Sequence, residues 1–306
     1  MAILSIENLS KNYGPVKALK NVSFTVPQGT VFGILGPNGS GKTTLLGIVM
    51  GILKASSGSH KWQGDLEMND QRKRIGTLLE TPNFYHYLSA VDNLKIAAAI
   101  KQKGVEDIPQ VLELVNLWQR KDSRFSTYSL GMKQRLAIAS TLLGNPDILV
   151  FDEPTNGLDP AGIAEIRELI KKLALQGKTI IMASHILDEV EKVCTHVAII
   201  QKGDLKLVGT VKDVMATSAE NNTSSILIEI AADENGLLKS ILQQFAGIVT
   251  IDAVENELHI TCSENISAAQ INKFCFDKGV VLNKLNLKRK SLEARFLEIT
   301  GKQSDK

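Results

Sequence analysis

A chain of 306 residues can bury a full core, and one large domain plus an accessory one is expected. Its 35 lysines and arginines against 33 acidic residues leave a formal charge of +2. That is not the basic excess of a nucleic-acid-binding protein, and no nucleic-acid partner is expected. The three cysteines, Cys194, Cys262 and Cys275, are scattered and odd in number, which suits a reducing compartment better than a disulfide framework. The opening MAILSIENLSKNYG lacks the basic head and apolar run of a signal peptide. No segment approaches the ~18 consecutive apolar residues that span a bilayer, so a membrane role is expected only through a partner.

In chain order, AILSIENL, VSFTVP and TVFGILG read as strands, with a PQG turn between the last two. A helix is expected from about Gly41 through KTTLLGIVMGIL, then a short polar region after SSGS, then the apolar run RIGTLLE. From about Ala90 to Ser126 the period turns helical, in VDNLKIAAAIKQKG and IPQVLELVNLWQR. A further helix starts at Leu130. DILVFDEP reads as a buried strand, AGIAEIRELIKKLALQG as an amphipathic helix and KTIIMASH as another buried strand. Helices alternating with continuous apolar strands indicate an α/β domain whose parallel sheet is covered on both faces. The polar stretch over 216–225 reads as a linker. Beyond it, strands at Ile226–Ile230, Val249–Ala253, Glu257–Cys262 and Val280–Lys288 alternate with helices at Gly236–Phe245 and Ala268–Lys278, with one more helix to close. The order β-α-β-β-α-β points to a small ferredoxin-like α+β domain over 226–306.

The stretch Gly36, Pro37, Asn38, Gly39, Ser40, Gly41, Lys42, Thr43, followed by Thr44, fits the P-loop pattern between an apolar strand and a helix. Its glycines let successive N–H groups turn toward one anion, and the helix N-terminus adds the positive end of its dipole. Lys42 is expected to neutralise the β- and γ-phosphates of ATP, and the Thr43 hydroxyl to hold Mg²⁺. A P-loop alone leaves kinases, GTPases, helicases and transport ATPases open. ILVFDEPTNGLDP narrows the field, because an apolar strand ending in Asp152 delivers a carboxylate to the C-terminal edge of the sheet. Asp152 there suits the Mg²⁺ shell, and Glu153 suits a base that orients and polarises the attacking water.

With these motifs in order, residues 1–215 resemble the ATP-binding subunit of an ABC transporter, with a helical subdomain over about 88–145. The resemblance implies that Tyr13 stacks on adenine. It also implies that YSLGMKQR, with Ser129 and Gly131, is the signature that binds the γ-phosphate held by a second copy in a homodimer. Here Leu130 replaces the first glycine of the usual signature and Met132 its glutamine. The resemblance further places Asp159 of NGLD in the loop that crosses the dimer interface, and His185 of MASH as the switch histidine at the γ-phosphate. The remaining histidines show no metal-ligand spacing, so zinc is not expected.

Glu80, in LLETPNFY, stands where the family usually has a glutamine that touches Mg²⁺ and the attacking water. A carboxylate can ligate Mg²⁺ and accept from water, but it cannot donate. Glutamate there, followed by Thr-Pro and aromatics, together with SLGMKQRL, resembles subunits of bacitracin- and lantibiotic-type export systems, which protect bacteria from antimicrobial peptides. Phe84, Tyr85 and Tyr87 have two readings, a groove for a short permease helix or subdomain core. SLEARFLEIT, residues 291–300, resembles the closing segment of the same branch. The C-terminal appendage either supports dimerisation or permease contact, or only adds stability. The resemblance implies an ATPase peripheral to the cytoplasmic face of the membrane, coupled to a separate permease. A multidrug, sodium or other small-substrate exporter remains open within the class, and a non-transport ABC ATPase outside it.

Overall fold

The computed structural model describes residues 1–64, 74–79, 83–216, 225–254, 256–263, 266–288, 292–293 and 295–296; for residues 216, 225–227, 263, 287 and 288 it describes the backbone alone. The chain divides into two compact units, Met1–Thr210 and Val211–Lys306.

The first unit runs β1 (Ala2–Tyr13), β2 (Val16–Pro27), β3 (Val31–Leu35), α1 (Lys42–Val49), β4 (Ser57–Trp62) and β5 (Ile75–Leu78). It continues through α2 (Ala90–Lys101), α3 (Ile108–Leu114), α4 (Leu130–Leu142), β6 (Ile148–Asp152), α5 (Pro160–Leu175), β7 (Thr179–Ser184), α6 (Leu187–Val193), β8 (His196–Gln201) and β9 (Asp204–Thr210). A six-stranded sheet has the order β5-β6-β7-β3-β8-β9, parallel except for β9, and a smaller antiparallel sheet has the order β2-β1-β4. Between the two sheets lies one apolar cluster that includes Leu9, Leu19, Phe24, Phe32, Leu45, Ile48 and Val150. Strands β3 and β7 are buried at every residue, as parallel strands covered on both faces must be.

Several elements differ from expectation. Strand β4 occupies the stretch that reads as polar; it is an edge strand paired only with β1, and of its residues only Trp62 is buried. The indole N–H of Trp62 donates to the Val49 carbonyl at 2.9 Å, at the point where α1 ends, short of the expected Leu53. The β8–β9 hairpin, where no element is expected, turns at Lys202 and Gly203, both at positive φ, the backbone a tight hairpin turn requires. The helix read over IPQVLELVNLWQR stops at Leu114, because Asn116 takes φ 57°, and a short 3₁₀ turn follows at Trp118–Arg120. The Arg135 guanidinium donates to the carbonyls left free at Val115 and Asn116.

The second unit comprises α7 (Val211–Ala216), β10 (Ser225–Ala232), α8 (Asn235–Leu242), β11 (Ile248–Val254), β12 (Glu257–Ser263), α9 (Ala268–Asp277) and β13 (Leu282–Lys288). Its sheet order is β11-β12-β10-β13, antiparallel throughout, which is the split arrangement that the β-α-β-β-α-β order foretells. Ile228, Ile230, Leu238, Leu242, Ile260, Ile271 and Cys275 form its core. A Ser267–Gln270 capping box starts α9. The expected linker and closing helix fall mostly on residues outside the described set.

One half-buried cation ties the helices of the first unit together. Lys101, at the end of α2, donates to the carbonyls of Ser140 and Thr141 at 2.8 and 3.0 Å, and to that of Leu143, so it satisfies the last turn of α4. Lys101→Met removes that donor and leaves the carbonyls without it. A loss of about 1–3 kcal/mol is expected in urea unfolding; an unchanged midpoint would show that water replaces the ammonium without cost.

Candidate functional site

The parallel register brings the motifs to one edge. Leu35 pairs with Ser184, Asp152 with Ala183, and Leu78 with Phe151. The loop after β3, Glu153 after β6 and His185 after β7 therefore emerge side by side at the C-terminal ends of the strands, where open α/β sheets bind ligands. Strand β5 ends on the same edge, but Glu80 lies outside the described residues.

At Gly36 and Gly41 the loop has room only for backbone. A Cβ on Gly36 would stand 2.1 Å from the Ile200 carbonyl oxygen and 2.6 Å from the Ser40 hydroxyl. Gly41 sits at φ +109° just before α1, and a Cβ there would stand 2.5 Å from the Ala18 carbonyl oxygen. The Ser40 amide donates to Pro37 O at 3.1 Å, and Gly203 N of the β8–β9 turn donates to Ser40 O at 3.0 Å, so the unexpected hairpin braces the loop. The buried Ser40 hydroxyl has no hydrogen-bond partner among the described residues. Thr43, on the first turn of α1, is exposed and Thr44 half-buried.

Lys42 is 5% exposed, and its ammonium donates to Gly36 O at 2.8 Å and Pro37 O at 3.2 Å. It also lies 3.3 Å from Glu153 Oε1. The other carboxylate oxygen of Glu153, Oε2, stands 2.8 Å from His185 Nδ1 and accepts from the His185 amide at 3.4 Å. A carboxylate can only accept, so His185 Nδ1 carries the proton of that contact. Glu153 itself adopts φ 48°, an uncommon backbone for a residue with a side chain, and its N–H donates to Ala183 O at 3.0 Å. Asp152, at the end of β6, is buried at 6% exposure. The arrangement sets a buried ammonium and a loop at a helix N-terminus, which can face an anion, beside a carboxylate held on both oxygens.

The other sequence-derived residues stand apart. Tyr13 is 46% exposed at the tip of β1, opposite Val16 and under the Lys11 ammonium. Its hairpin partner strand reaches the loop through Ala18 beside Gly41. Ser129 caps α4 by accepting from Met132 N, and Asp159 caps α5 by accepting from Gly162 N at 3.0 Å. Gly157 packs against Leu130, where a Cβ would stand 3.3 Å from Leu130 Cδ2. Ser129, Gly131 and Asp159 thus share a neighbourhood, and Leu130 is 49% exposed within it. Among the described residues no hydrogen bond or ion pair joins that group to the Gly36–Thr44 loop.

The aromatics after Glu80 divide. Phe84 packs edge-on against the buried Phe125, with ring centroids 5.2 Å apart, so it belongs in part to the subdomain core. Tyr85 and Tyr87 are 51% and 68% exposed. The buried Asn93 side chain clamps the Tyr85 backbone, accepting from its N–H at 2.8 Å and donating to its carbonyl at 3.1 Å. Asn83, Phe84, Tyr85, Asn93, Ile96 and Ile100 line a shallow groove there.

Two residues that the sequence reading did not single out meet beneath Glu153. Thr155 donates to the buried Glu189 carboxylate at 2.5 Å. Only burial marks Glu189, whose neighbours on α6 read as an ordinary charged helix. In the second unit Glu229, Glu257 and His259 cluster on one sheet face, the one group of metal-ligand type among the described residues. The Lys284 ammonium pairs with both carboxylates and offsets part of their charge.

The ABC transporter family model matches residues 19–156. The chain is 38% identical to the ABC transporter ATP-binding protein YhcH of Bacillus subtilis, over 99% of this chain and 97% of that one. It is 34% identical to the bacitracin transport ATP-binding protein BcrA of Bacillus licheniformis, over 98% and 97%. To the lantibiotic transport ATP-binding protein SrtF of Streptococcus pyogenes it is 40% identical, over 67% and 90%. The solved post-hydrolysis dimer of the ATP-binding cassette MJ0796, bound to ADP and Pi, superposes with a TM-score of 0.60 at 26% identity, over 68% of this chain and 98% of that one. The site therefore belongs to a P-loop ATPase cassette. The chain is a member of the ABC transporter ATP-binding family and an ATP-hydrolysing transporter subunit.

Lys42→Ala removes the one cation buried in the cradle. ATP affinity measured by equilibrium binding is expected to fall at least about tenfold, since a lost charge-assisted contact costs roughly 1.5–3 kcal/mol. Retained affinity and turnover would contradict the cradle assignment.

Proposed function

We propose that the chain hydrolyses ATP between two copies of itself and drives a separate membrane permease that exports an antimicrobial peptide. The observation that carries the chemistry is Glu153, held on one oxygen by Lys42 and on the other by His185. A triphosphate entering the cradle competes for Lys42 and takes it from Glu153 Oε1. That oxygen then accepts from a water, while Oε2 stays on His185, which fixes the direction of attack. Glu153 is the general base in this scheme and His185 its orienting partner at the γ-phosphate. The backbone of Gly36–Lys42, with Thr44, holds the phosphates, and Tyr13 receives the adenine ring. Thr43 and Asp152 fit a Mg²⁺ ion, with Glu80 proposed to join them. Such an ion would supply positive charge to offset that of the phosphates.

The homodimer accounts for the separation of Ser129, Gly131 and Asp159 from the loop. A signature at a helix N-terminus, with exposed Leu130 beside it, suits the γ-phosphate bound by the partner copy. The groove beside Tyr85 suits the short cytoplasmic helix of a permease, with Tyr85, Tyr87 and Ile100 as exposed apolar anchors. Among the described residues no helix is long and apolar enough to cross a membrane. In this reading the permease is a separate chain, and the subunit binds it peripherally on the cytoplasmic face. The names of BcrA and SrtF support bacitracin- or lantibiotic-type cargo. The second unit is assigned a supporting role in dimerisation or permease contact.

Tagged Glu153→Gln protein, purified with ATP from gently solubilised native cells, is expected to bring down a multi-helix membrane protein. In vesicles, the wild-type complex with that partner is expected to raise its ATP turnover in the presence of bacitracin or a lantibiotic. Recovery of ribosomes, DNA or only soluble proteins would refute the transporter assignment for this chain, and a complex indifferent to both peptides would refute the cargo.

A further inference from the structure

Beneath Glu153 the chain closes on itself. Glu153 Oε2 meets His185 Nδ1 at 2.8 Å. Four residues on, at the start of α6, the Glu189 carboxylate accepts from Thr155 Oγ1 at 2.5 Å, and Thr155 lies two residues after Glu153. Glu189 and Thr155 are both 3% exposed. Helix α6 is itself pressed onto β3, where a Cβ on Gly33 would stand 2.9 Å from Val190 Cγ1 and 3.0 Å from Cys194 Sγ. Thr155 O also accepts from Leu158 N at 3.2 Å, so the same residue shapes the turn that ends in Asp159.

A buried carboxyl is costly in a fold unless it has a task or full partnership. Glu189 has one hydrogen bond, and its Oε1 has no hydrogen-bond partner among the described residues. Arg167 of α5, Glu153, His185 and the Cys194 thiol are the titratable groups that act on it. Burial pushes its carboxyl above the ordinary value, while the Thr155 bond and the Arg167 charge pull it down. An apolar side chain would fill that space with less cost, yet the acceptor would be lost, and with it the closure of the ring. Glu153 sits at φ 48°, a backbone that the surrounding contacts must impose.

We propose that Glu189 is a positioning residue for hydrolysis: through Thr155 it holds the turn that presents the Glu153 carboxylate to His185. A neighbour that merely filled space would affect stability alone, whereas a brace on this turn affects the chemical step. The same bond carries any movement of the His185 turn to the turn ending in Asp159, two strands' ends joined by one side chain. The inference rests on Glu153 being the base.

The test uses the full chain with its permease partner and compares Glu189→Ala, Glu189→Gln, Thr155→Val, the double variant Glu189→Ala/Thr155→Val, and Glu153→Gln. In each, kcat and KM for ATP are measured together with the thermal midpoint. Glu189→Ala and Thr155→Val are each expected to lower kcat about tenfold or more, with KM within about twofold, because a small displacement of a base is costly to rate. The double variant is expected to lose no more than the worse single one, as groups sharing one bond do. Glu189→Gln keeps an oxygen for Thr155 and is expected to stay within about threefold of wild type. Wild-type kcat in a folded Glu189→Ala, additive losses, or no rescue by glutamine would each overturn the positioning role. If Glu189→Ala does not fold, Thr155→Val decides by the same measure. Normal turnover by Glu153→Gln would instead show that the base lies elsewhere; an inactive Glu153→Gln beside a fully active Glu189→Ala would sink only the brace.

Discussion

The carboxylate of Glu153 is shared between a buried ammonium and an imidazole, and much of the first unit is arranged to make that sharing possible. Lys42 at 5% exposure is tolerable only because two loop carbonyls and Glu153 surround it. Those carbonyls converge because Gly36 and Gly41 admit no side chain. Glu153 reaches Lys42 because β6 and β3 both flank β7 in register, and it reaches His185 because β7 ends one residue before that histidine. A pair held so tightly is also a sensor. Whatever anion takes the ammonium must release one oxygen of Glu153.

The same logic separates what one copy contributes from what it lacks. The Gly36–Gly41 loop, Lys42, Glu153 and His185 meet within a single chain. The helix N-terminus at Ser129 and the turn at Asp159 meet each other, through Gly157 against Leu130, but do not bond to the cradle. An exposed leucine where the family signature has glycine gives that face an apolar element that a glycine would not. The second unit is built on other lines. Its helices and sheet bury one small core, and the Glu229, Glu257, His259 and Lys284 side chains form an ion-paired network on the sheet.

The parts legible in the sequence were those where one local rule decides. Continuous apolar runs gave β3, β6 and β7; glycines before Lys42 marked the loop; Ser129 before Leu130 marked a helix start, and α4 begins there. The split order of the second sheet followed from its element sequence. What stayed hidden depends on partners distant in the chain. Strand β4 is polar because only one of its edges and one of its residues is covered. The β8–β9 hairpin turns on Lys-Gly, a weaker signal than Asn-Gly. Phe84 and Tyr85 are adjacent aromatics with opposite fates, because Phe125 receives one and Asn93 turns the other outward. Lys101 and Glu189 look like surface charges on amphipathic helices until the carbonyls of α4 and the Thr155 hydroxyl are seen beside them.

The most direct measurement is a single turnover with radiolabelled ATP on the purified Glu153→Gln chain, following both product formation and molecular mass by light scattering. An intact nucleotide at normal affinity in a dimer with two ATP bound is the predicted result, because the cradle is kept and only the proton acceptor is lost. Formation of ADP at the wild-type rate by a monomer would contradict both the base and the shared site.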